Sequence, residues 1–418
     1  MAHILIAYKQ FPAPSAGHAG GESLFHMMAA LHRRGHTLTL VSRIADEERA
    51  LLPEVEAICR RVVTVRHHRS RPGPRPWAVA ISYLELRRAI RDTVAAERPD
   101  FVHVETTQTA LVAAGLPLPP SSYRTQDVNW FLVDQQLPWL SGLRRATALV
   151  KRAAMRRLEP WIAGHYDVLI AISEGDRRLL ADTWDRDLLL VPLTPLQADA
   201  ALRRDVPPGR LPAAPPLVDR PTADAAPAQA AGDCPTVLFV GAMARDHNQD
   251  GIRWFLDQVW SHIVAVVPDA SLRIVGGSPP AWLLSRADGE RVVVTGFVAD
   301  LVAEYRAADV FVSPLLVAGG LLQKVLDAMA LGLPVVATSV CNHGVSAAPG
   351  QHLVTADESE AFADAVVTLL RDPEARDRIA AAARSYIAAT YDFDAAVDLW
   401  SGTISALCVP VPSAYGIG

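Results

Sequence analysis

The sequence contains very little cysteine. Only four of its 418 residues are Cys (Cys59, Cys234, Cys341 and Cys408), and no two of them are close in the chain. Disulfide frameworks and structural zinc sites depend on paired or clustered cysteines, so neither is expected here. The scarcity is typical of proteins in a reducing compartment, and it therefore predicts a cytoplasmic location.

Long apolar runs and concentrated positive charge are also lacking. No stretch approaches the roughly 18 consecutive apolar residues of a membrane-spanning helix, and residues 1–6 lack the charged start of a secretory leader. The net charge of −5 gives no reason to expect nucleic acid as a partner. Basic residues do recur at Arg152, Arg156 and Arg157. They are typical of a solvated helix face, with anionic lipid or substrate as the alternative partner.

The chain begins with the pattern of a doubly wound α/β domain. Residues 3–8 (HILIAY) predict a buried strand, a glycine-containing loop follows over 9–21, and residues 22–34 predict a helix. A second strand is expected at 37–42 (TLTLVS). Strand, loop, helix and strand in this order predict a parallel sheet with helices on both faces. The loop lacks the G-x-G-x-x-G spacing of a dinucleotide site.

The length favours two such domains, joined by an unusual linker. Half of the 418 residues are hydrophobic, which is ample for two buried cores. Residues 194–234 are rich in Ala and Pro and predict an exposed linker. We therefore assign residues 1–193 to an N-terminal Rossmann-like domain and 235–390 to a C-terminal one. Residues 391–418 are expected to form a helix that returns to the first domain.

Residues 314–344 (PLLVAGGLLQKVLDAMALGLPVVATSVCNHG) are the most informative stretch. Gly319 and Gly320 are predicted to open a helix, followed by a turn, a buried strand at 335–337 and a loop. The start of a helix exposes free N–H groups that suit a phosphate. Lys324 and Asp327 are three residues apart and so share one helix face, where they could bind a diphosphate and a ribose hydroxyl. An ordinary crossover turn with a solvated ion pair explains the spacing equally well.

The same stretch resembles the donor-nucleotide signature of the retaining GT-B glycosyltransferases of family 4. Asp327 and the following Ala-Met-Ala stand where that family has its second Glu and Ala-Met-Ala, and Gly319 stands where it has its first Glu. One branch of the family instead has Gly-Gly-Gly-Ile-Arg-Leu-Lys before the second acid, which residues 318–324 resemble more closely. The chain departs from that branch with Leu322 for the Arg and Asp327 for the Glu. The resemblance implies the GT-B fold, two Rossmann-like doubly wound domains facing across a cleft.

The resemblance also implies which residues bind a nucleotide-diphosphate sugar. Arg245, with Asn248 behind it, matches the loop that reaches the diphosphate, and Gly20 and Gly21 match the loop of the first domain that lies against the phosphates and the acceptor. The backbone at Phe297 and Val298 would contact the base, and Asp327 the ribose. The remaining positions of the expected donor site are Gly319, Gly320, Leu321 and Lys324. No cofactor and no metal are expected, and the donor would be a UDP- or GDP-sugar.

Three residues are candidates for the chemistry. Gln126 stands where many members of the family have a His that contacts the donor sugar, and a Gln can exchange hydrogen bonds with a hydroxyl but cannot carry a proton. His18 is the titratable residue of the first loop. Glu105 ends the predicted strand at 100–105, at the edge where ligands bind to open α/β sheets. The family resemblance implies that the leaving phosphate assists the acceptor hydroxyl, so no side-chain base is assigned.

The leading hypothesis is a metal-independent, retaining transfer of a sugar to a small-molecule or glycan acceptor. Gly319, Gln126 and the long linker also fit a pseudo-glycosyltransferase or a tailoring enzyme with an unusual donor or acceptor atom. A non-catalytic GT-B-like binding protein is the third alternative. Usage rich in Ala, Arg and Pro resembles GC-rich bacterial chains and is compatible with natural-product biosynthesis and polysaccharide assembly alike. The sequence leaves open whether the protein forms a homodimer.

Overall fold

A computed structural model describes residues 1–14, 19–67, 76–192 and 234–408. The chain divides into two compact units. The first contains the described residues up to 192 and the helix Phe393–Leu407, and the second contains residues 234–392. The predicted linker, apart from Cys234, and His18 lie outside the described residues.

The first unit is built on a seven-stranded parallel sheet with the order β3-β2-β1-β4-β5-β6-β7. Its strands are β1 His3–Tyr8, β2 Thr37–Ile44, β3 Arg61–Arg66, β4 Phe101–Glu105, β5 Ser121–Thr125, β6 Val168–Ala171 and β7 Leu188–Leu190. Its helices are α1 Ala19–Arg33, α2 Leu52–Glu56, α3 Pro76–Glu97, α4 Thr107–Ala113, α5 Asn129–Gln136, α6 Gly142–Ala163 and α7 Glu174–Trp184. Short 3₁₀ turns occupy Asp46–Leu51 and Leu137–Trp139.

The central strands form as predicted because their side chains are buried on both faces of the sheet. All five residues of β4 and of β5 are buried, and β1 has only His3 partly exposed. The predicted N-cap of α7 is confirmed, since the Ser173 hydroxyl accepts a hydrogen bond from the Asp176 amide at 3.0 Å. The edge strand β3 was not predicted, because its half-exposed pattern gives a weak apolar signal.

A helix from the end of the chain completes the first unit. Trp400 of Phe393–Leu407 is fully buried, and its ring packs edge-on against His103 at a centroid distance of 4.6 Å. Ser401 shares a 2.7 Å hydrogen bond with His36, and Arg34 pairs with Asp398 at 2.5 Å. The core on this face of the sheet therefore depends on residues almost 400 positions after its first strand.

The second unit repeats the doubly wound plan with a six-stranded parallel sheet of order β10-β9-β8-β11-β12-β13. Its strands are β8 Thr236–Val240, β9 Ser271–Val275, β10 Val292–Gly296, β11 Val310–Ser313, β12 Val335–Ala337 and β13 Val354–Thr355. Its helices are α8 Asp246–Trp254, α9 Trp260–Val266, α10 Ala281–Leu284, α11 Leu301–Arg306, α12 Gln323–Leu331, α13 Ser339–Val345, α14 Ser359–Arg371 and α15 Pro373–Thr390, and Phe393–Leu407 of the first unit is α16. A single π-helical turn, Phe255–Val259, joins α8 to α9.

Two details predicted around the signature stretch are wrong. The helix does not open at Gly319 and Gly320 but at Gln323, and Leu322 precedes it. Gly320 instead has a left-handed φ of +60°, which a residue with a Cβ adopts only at a cost. The segment after β12 is not a loop, because residues Ser339–Val345 form the helix α13. A Cβ on Gly344 of that helix would lie 1.9 Å from the Gly320 carbonyl oxygen. Residue 344 must therefore be glycine for the two backbone segments to approach this closely.

Each sheet has one point where the strand order reverses. In the first unit this point lies between β1 and β4, and in the second it lies between β8 and β11. Loops from the carboxyl ends of two such strands diverge to opposite faces and leave a crevice, which is where ligands bind in doubly wound folds. The candidate site residues are therefore described at these two points, one unit at a time.

Candidate active site

In the first unit, three polar side chains lie side by side at or next to the carboxyl ends of neighbouring strands. Tyr8 of β1 pairs in register with Glu105 of β4, which pairs with Arg124 of β5. All three are buried, with exposed fractions of 1% or less. Glu105 lies at the carboxyl end of its strand, as predicted, and the structure adds that this strand borders the point of reversal.

Glu105 is held by its neighbours. Its carboxylate accepts hydrogen bonds from Arg124 Nε at 3.0 Å, from His103 Nε2 at 3.0 Å and from Gln126 Nε2 at 2.8 Å. Burial acts to raise the pKa of Glu105, but Arg124, His103 and Gln126 together hold it below the ordinary value. For His103 burial acts in the other direction: it lowers the pKa and keeps the ring neutral, although Glu105 acts to raise the pKa. Glu105 is thus an ionised carboxylate with filled hydrogen-bonding positions, suited to hold Gln126 rather than to take up a proton.

Gln126 is the part-exposed member of this group. Because an ionised carboxylate only accepts hydrogen bonds, the Gln126 amino group must face Glu105, and its oxygen Oε1 is turned the other way. That oxygen lies beside Gly20: a Cβ on Gly20 would be 2.8 Å from it and 3.1 Å from the Tyr8 hydroxyl. The structure therefore brings Gly20, Gln126 and Glu105 together, and Gly20 must be glycine for the Gln126 amide to occupy this position.

Arg124 is the residue of this cluster that sequence reasoning missed. Its side chain is fully buried, and its terminal groups Nη1 and Nη2 have no hydrogen-bond partner among the described residues. Arg124 and Gln126 are two residues apart, so an extended chain directs both side chains to the same face of the sheet. Glu105, which pairs with Arg124 in register, lies on that face as well. Gly21 is buried in the first turn of α1, next to Gly20.

In the second unit, the site begins where β8 ends. The loop after Val240 leads into α8, with Arg245 at the N-cap position and Asn248 in the first turn. Asn248 is buried, and a Cβ on Gly241 would lie 2.9 Å from its side-chain carbon Cγ. Asn248 Nδ2 donates to the carbonyl of Ala242 at 3.0 Å. The glycine thus allows the Asn248 side chain to close the turn and present its oxygen Oδ1.

Lys324 of α12 reaches this oxygen. Its ammonium donates to Asn248 Oδ1 at 2.7 Å and lies 4.7 Å from the centre of the Phe239 ring. Burial lowers the pKa of Lys324 to about 8, because desolvation disfavours the charged form. The structure therefore brings together Lys324 and Asn248, which are 76 residues apart in the sequence.

His247 lies in a region of positive electrostatic potential. Burial and, to a smaller extent, the charges of Lys324 and Arg245 together lower its pKa to about 4. The ring is therefore neutral at pH 7, and the fixed charge here is positive. The exposed N-cap residue Arg245 and the start of α8 add to a surface that favours an anion.

The loop over residues 314–322 follows β11, on the other side of the point of reversal. Gly319 is partly exposed, whereas Gly320 and Leu321 are buried, with Leu321 5% exposed. Its backbone is fixed by the contact of Gly320 with Gly344 described above. The contact holds the loop between the end of β11 and the start of α12. Gly320 and Leu321 are thereby placed about one helical turn before Lys324.

Asp327 is buried and does not form the solvated ion pair with Lys324 that an ordinary crossover turn would contain. Its side chain is 3% exposed, and its oxygen Oδ1 accepts a hydrogen bond from Gln323 Nε2 at 2.7 Å. The predicted base contacts, Phe297 and Val298, follow the end of β10, and Phe297 is 70% exposed. A ring this exposed offers a face for stacking.

The described residues include no helix that is long and apolar enough to cross a membrane. Among these residues, no group of three or more His, Cys, Asp or Glu side chains is arranged to hold a metal ion. The candidate anion site of the second unit contains the cations Lys324 and Arg245, the start of α8 and the Asn248 side chain.

Two family models match the chain on either side of the linker. Residues 20–194 match the glycosyl transferase 4-like domain, and residues 234–372 match the domain of the glycosyl transferases group 1. With the two doubly wound units, these matches define the class: the chain belongs to the group 1 glycosyltransferases and has the GT-B fold. The predicted glycosyltransferase family and the fold of two Rossmann-like doubly wound domains are confirmed, and retention at the anomeric carbon stays a prediction.

Individual relatives agree with this placement. The chain is 35% identical over 153 residues to a phosphatidyl-myo-inositol mannosyltransferase of Mycobacterium leprae, a match that covers 35% of this chain and 40% of the relative. The chain spans less than half the length of the curated relatives it matches. The solved structure of sucrose-phosphate synthase from Thermosynechococcus elongatus is similar with a TM-score of 0.70 at 18% identity, over 97% of this chain and 99% of that one. Anabaena HepE in complex with UDP-glucose has a TM-score of 0.62 at 15% identity, over 97% of this chain and 100% of that one.

Proposed function

We propose that the protein transfers a sugar from a nucleoside-diphosphate sugar to a small-molecule or glycan acceptor, with retention at the anomeric carbon and without a metal. The observation that carries the proposal is the convergence of Lys324, Asn248 and Arg245 at the point of strand reversal in the second unit. A diphosphate leaving group carries negative charge that must be stabilised as the glycosidic bond breaks. Protein cations and a helix start can supply that stabilisation.

The parts of the donor are assigned from this anion site outward. Lys324 and Arg245 take the diphosphate, together with the backbone of Gly319, Gly320 and Leu321. Asp327 takes the ribose, for which Gln323 must release the carboxylate oxygen it now occupies. Phe297 and Val298 lie at the base. The solved relative that holds UDP-glucose supports a uridine donor, and a guanosine donor is the competing outcome of the experiment below.

The first unit supplies contacts to the sugar and the acceptor. Gln126 Oε1, turned away from Glu105, accepts a hydrogen bond from a sugar hydroxyl, and Glu105 positions the amide without touching the substrate. The backbone at Gly20 and Gly21 lies next to this oxygen. No side chain is assigned as a base, because the departing phosphate oxygen takes the proton of the acceptor hydroxyl in this proposal.

The donor class is tested with the intact chain and a panel of UDP, GDP, ADP and dTDP. Binding is measured by calorimetry, with and without magnesium. Stabilisation by one nucleotide in the absence of magnesium supports the proposal and identifies the base. An absolute requirement for magnesium refutes the metal-independent mechanism, and a lack of binding to all four favours a GT-B-like scaffold without donor binding.

The role of Lys324 is tested with Lys324→Ala. Loss of a charge-assisted contact costs about 1.5–3 kcal/mol, so affinity for the nucleoside diphosphate should fall on the order of 10- to 150-fold. Affinity for the parent nucleoside, which has no phosphate, should change little. The matched control is Arg306→Ala, which removes an exposed cation of the same unit. Equal losses for nucleoside and diphosphate would show that the variant disturbs the fold rather than a phosphate contact.

A second candidate function follows from Gln126. A neutral amide stands where many relatives have a His, which fits a donor or acceptor atom that differs from the usual ones, as in a pseudo-glycosyltransferase. Product analysis with the nucleotide sugar of the preferred base distinguishes the two candidates. A glycoside formed through an anomeric C–O bond supports the leading proposal, and a coupled product without that bond supports the alternative.

A further inference from the structure

Helix α13, Ser339–Val345, ends in carbonyl groups that its own backbone does not satisfy. The last four carbonyls of a helix have no donor within the helix. The Ser346 amide donates to the Asn342 carbonyl at 2.7 Å, and Ser346 then turns the chain out of the helix with a left-handed φ of +52°. The carbonyls of Gly344 and Val345 therefore need donors from elsewhere in the fold.

Two tyrosines that come much later in the chain supply these donors. Tyr391 is 3% exposed, and its hydroxyl lies 2.7 Å from the Val345 carbonyl oxygen and 3.3 Å from that of Gly344. The Tyr386 hydroxyl lies 2.8 Å from the Val345 carbonyl oxygen and 3.0 Å from that of Ser346. Because a carbonyl oxygen has two lone pairs, Val345 can accept from both hydroxyls. The end of α13 is thus held by side chains from the end of α15 and the residue after it.

The rings of the two tyrosines are themselves held in place. Tyr386 stacks on the His352 ring, with the centroids 4.5 Å apart and the planes inclined by 20°. Tyr391 packs edge-on against Tyr386 at a centroid distance of 6.1 Å. His352 Nδ1 in turn accepts a hydrogen bond from the Ala348 amide at 3.2 Å. The two hydroxyls are therefore fixed points against which the backbone of α13 is positioned.

The end of α13 also supports the loop over residues 314–322. A Cβ on Gly344 would lie 1.9 Å from the Gly320 carbonyl oxygen and 3.2 Å from the Leu321 Cα. Protein interiors are close-packed, so two buried backbone segments in such contact cannot shift independently. A displacement of Gly344 therefore displaces the backbone of Gly320 and Leu321.

We propose that Tyr386 and Tyr391 are positioning residues of the donor site. Their hydroxyls hold the end of α13 so that the backbone of Gly320 and Leu321 is placed to bind a diphosphate. The inference rests on the proposed function, in which this backbone takes the diphosphate of the donor. Neither tyrosine contacts the donor, and both act through the carbonyl groups at the end of α13.

This role is confined to the phosphate end of the donor. Asp327, which is proposed for the ribose, lies on α12, and Phe297, which is proposed for the base, follows β10. Loosening the end of α13 should therefore weaken diphosphate binding and leave nucleoside binding intact. A pair of tyrosines that only stabilised the fold would affect both ligands equally.

The test uses the intact chain with Tyr386→Phe, Tyr391→Phe and the double variant. Phenylalanine keeps each ring and removes only the hydroxyl. Calorimetry measures the affinity for UDP and for uridine, with GDP and guanosine as the second pair of probes. The affinity for the diphosphate should fall on the order of 10-fold in each single variant and 100-fold in the double variant, with the nucleoside affinity unchanged within about two-fold.

Tyr166→Phe is the matched control. Tyr166 is also 3% exposed, and its hydroxyl donates to the Ala110 carbonyl at 2.7 Å in the first unit. Tyr166→Phe and Tyr391→Phe should lower the melting temperature to a similar extent, but only Tyr391→Phe should change the ratio of diphosphate to nucleoside affinity. An equal effect of the two variants on that ratio would overturn the proposal.

Hydrogen exchange of the chain without nucleotide separates this inference from the proposed function. Amides of residues 315–322 should exchange on the order of five-fold faster in the double variant than in the original chain, and Tyr166→Phe should leave them unchanged. Unchanged exchange in the double variant overturns the inference whether or not a nucleotide binds. Faster exchange with unchanged diphosphate affinity also overturns it. If exchange becomes faster but the original chain binds no nucleotide, the proposed function fails while the positioning of the loop is supported.

Discussion

Glu159 makes the stability of the first unit depend on pH. Its side chain is 1% exposed, and its oxygen Oε1 accepts hydrogen bonds from the Asn129 amide at 3.1 Å and from Asn129 Nδ2 at 2.7 Å. The other oxygen, Oε2, is buried without a hydrogen-bond partner among the described residues. Burial raises the pKa of Glu159 to about 7, and the Asn129 hydrogen bonds only partly offset the effect.

The magnitude follows from the difference between the two states of the chain. The pKa is about 7 in the folded protein and 4.5 in an exposed Glu, and each pKa unit corresponds to 1.36 kcal/mol. Below pH 4.5 both states hold the proton, so nothing is lost. As the pH rises, the unfolded chain releases its proton first. The free energy of unfolding therefore decreases by about 3 kcal/mol in total, a loss that is complete above pH 8.

The variant that tests this is Glu159→Gln. Its amide oxygen can still accept from Asn129, but the side chain is neutral at every pH. The free energy of unfolding of the variant should exceed that of the original chain by about 2–3 kcal/mol at pH 8, and the two should converge near pH 5. Urea unfolding followed by tryptophan fluorescence at pH 5, 6, 7 and 8 measures the difference. Glu56→Gln, at an exposed site of the same unit, should leave the pH dependence unchanged. Parallel curves for Glu159→Gln and the original chain would refute the reasoning.

The remaining predictions concern single side chains in the two units. Gly20→Ala should lower the transfer rate on the order of 100-fold with little change in melting temperature, because its Cβ would displace the Gln126 amide. Trp400→Ala should reduce the free energy of unfolding by about 3–5 kcal/mol in urea titrations, since it empties a fully buried site. Ser173→Ala should cost about 1 kcal/mol in the same assay through the lost helix cap. The affinity for a nucleoside diphosphate, followed by calorimetry from pH 7 to 10, should fall above pH 8, because the free protein loses the Lys324 proton there while the bound phosphate retains it. No change in the Lys324→Ala variant over the same range would confirm the assignment of the titration.

The doubly wound architecture could be predicted from the sequence because it depends on local patterns. Short apolar runs bounded by loops, such as HILIAY at His3–Tyr8, are the direct consequence of strands buried on both faces. The cap at Ser173 is likewise a local hydrogen bond. In contrast, the helix predicted to open at Gly319 and Gly320 begins at Gln323, because Gly320 takes a left-handed φ of +60° and its carbonyl closely approaches Gly344, a contact that only the folded chain creates.

The candidate site was predictable to the extent that motifs mark it. Lys324 and Asn248 were each found from the order of the family's motifs, but their 2.7 Å contact depends on the adjacent strands β8 and β11, after which α8 and α12 begin. Arg124 was missed because its spacing from Gln126 places it on the same strand face but does not show which side chain it meets. Its role appears only when the register of β4 and β5 brings it against Glu105.

The return of Phe393–Leu407 to the first unit has a consequence for synthesis. The ribosome releases the strands of that unit early, yet Trp400, which packs on His103, is made roughly 200 residues after the last of them. At about 5–20 residues per second, the roughly 200 intervening residues take some 10–40 seconds to emerge. During that interval the apolar surface that later packs against Trp400 is uncovered in the first unit. The second unit, whose sequence is inserted between the two parts of the first, is synthesised in the same period. The nascent chain is therefore a substrate for chaperones that bind exposed apolar surface, and C-terminal truncation should prolong that dependence.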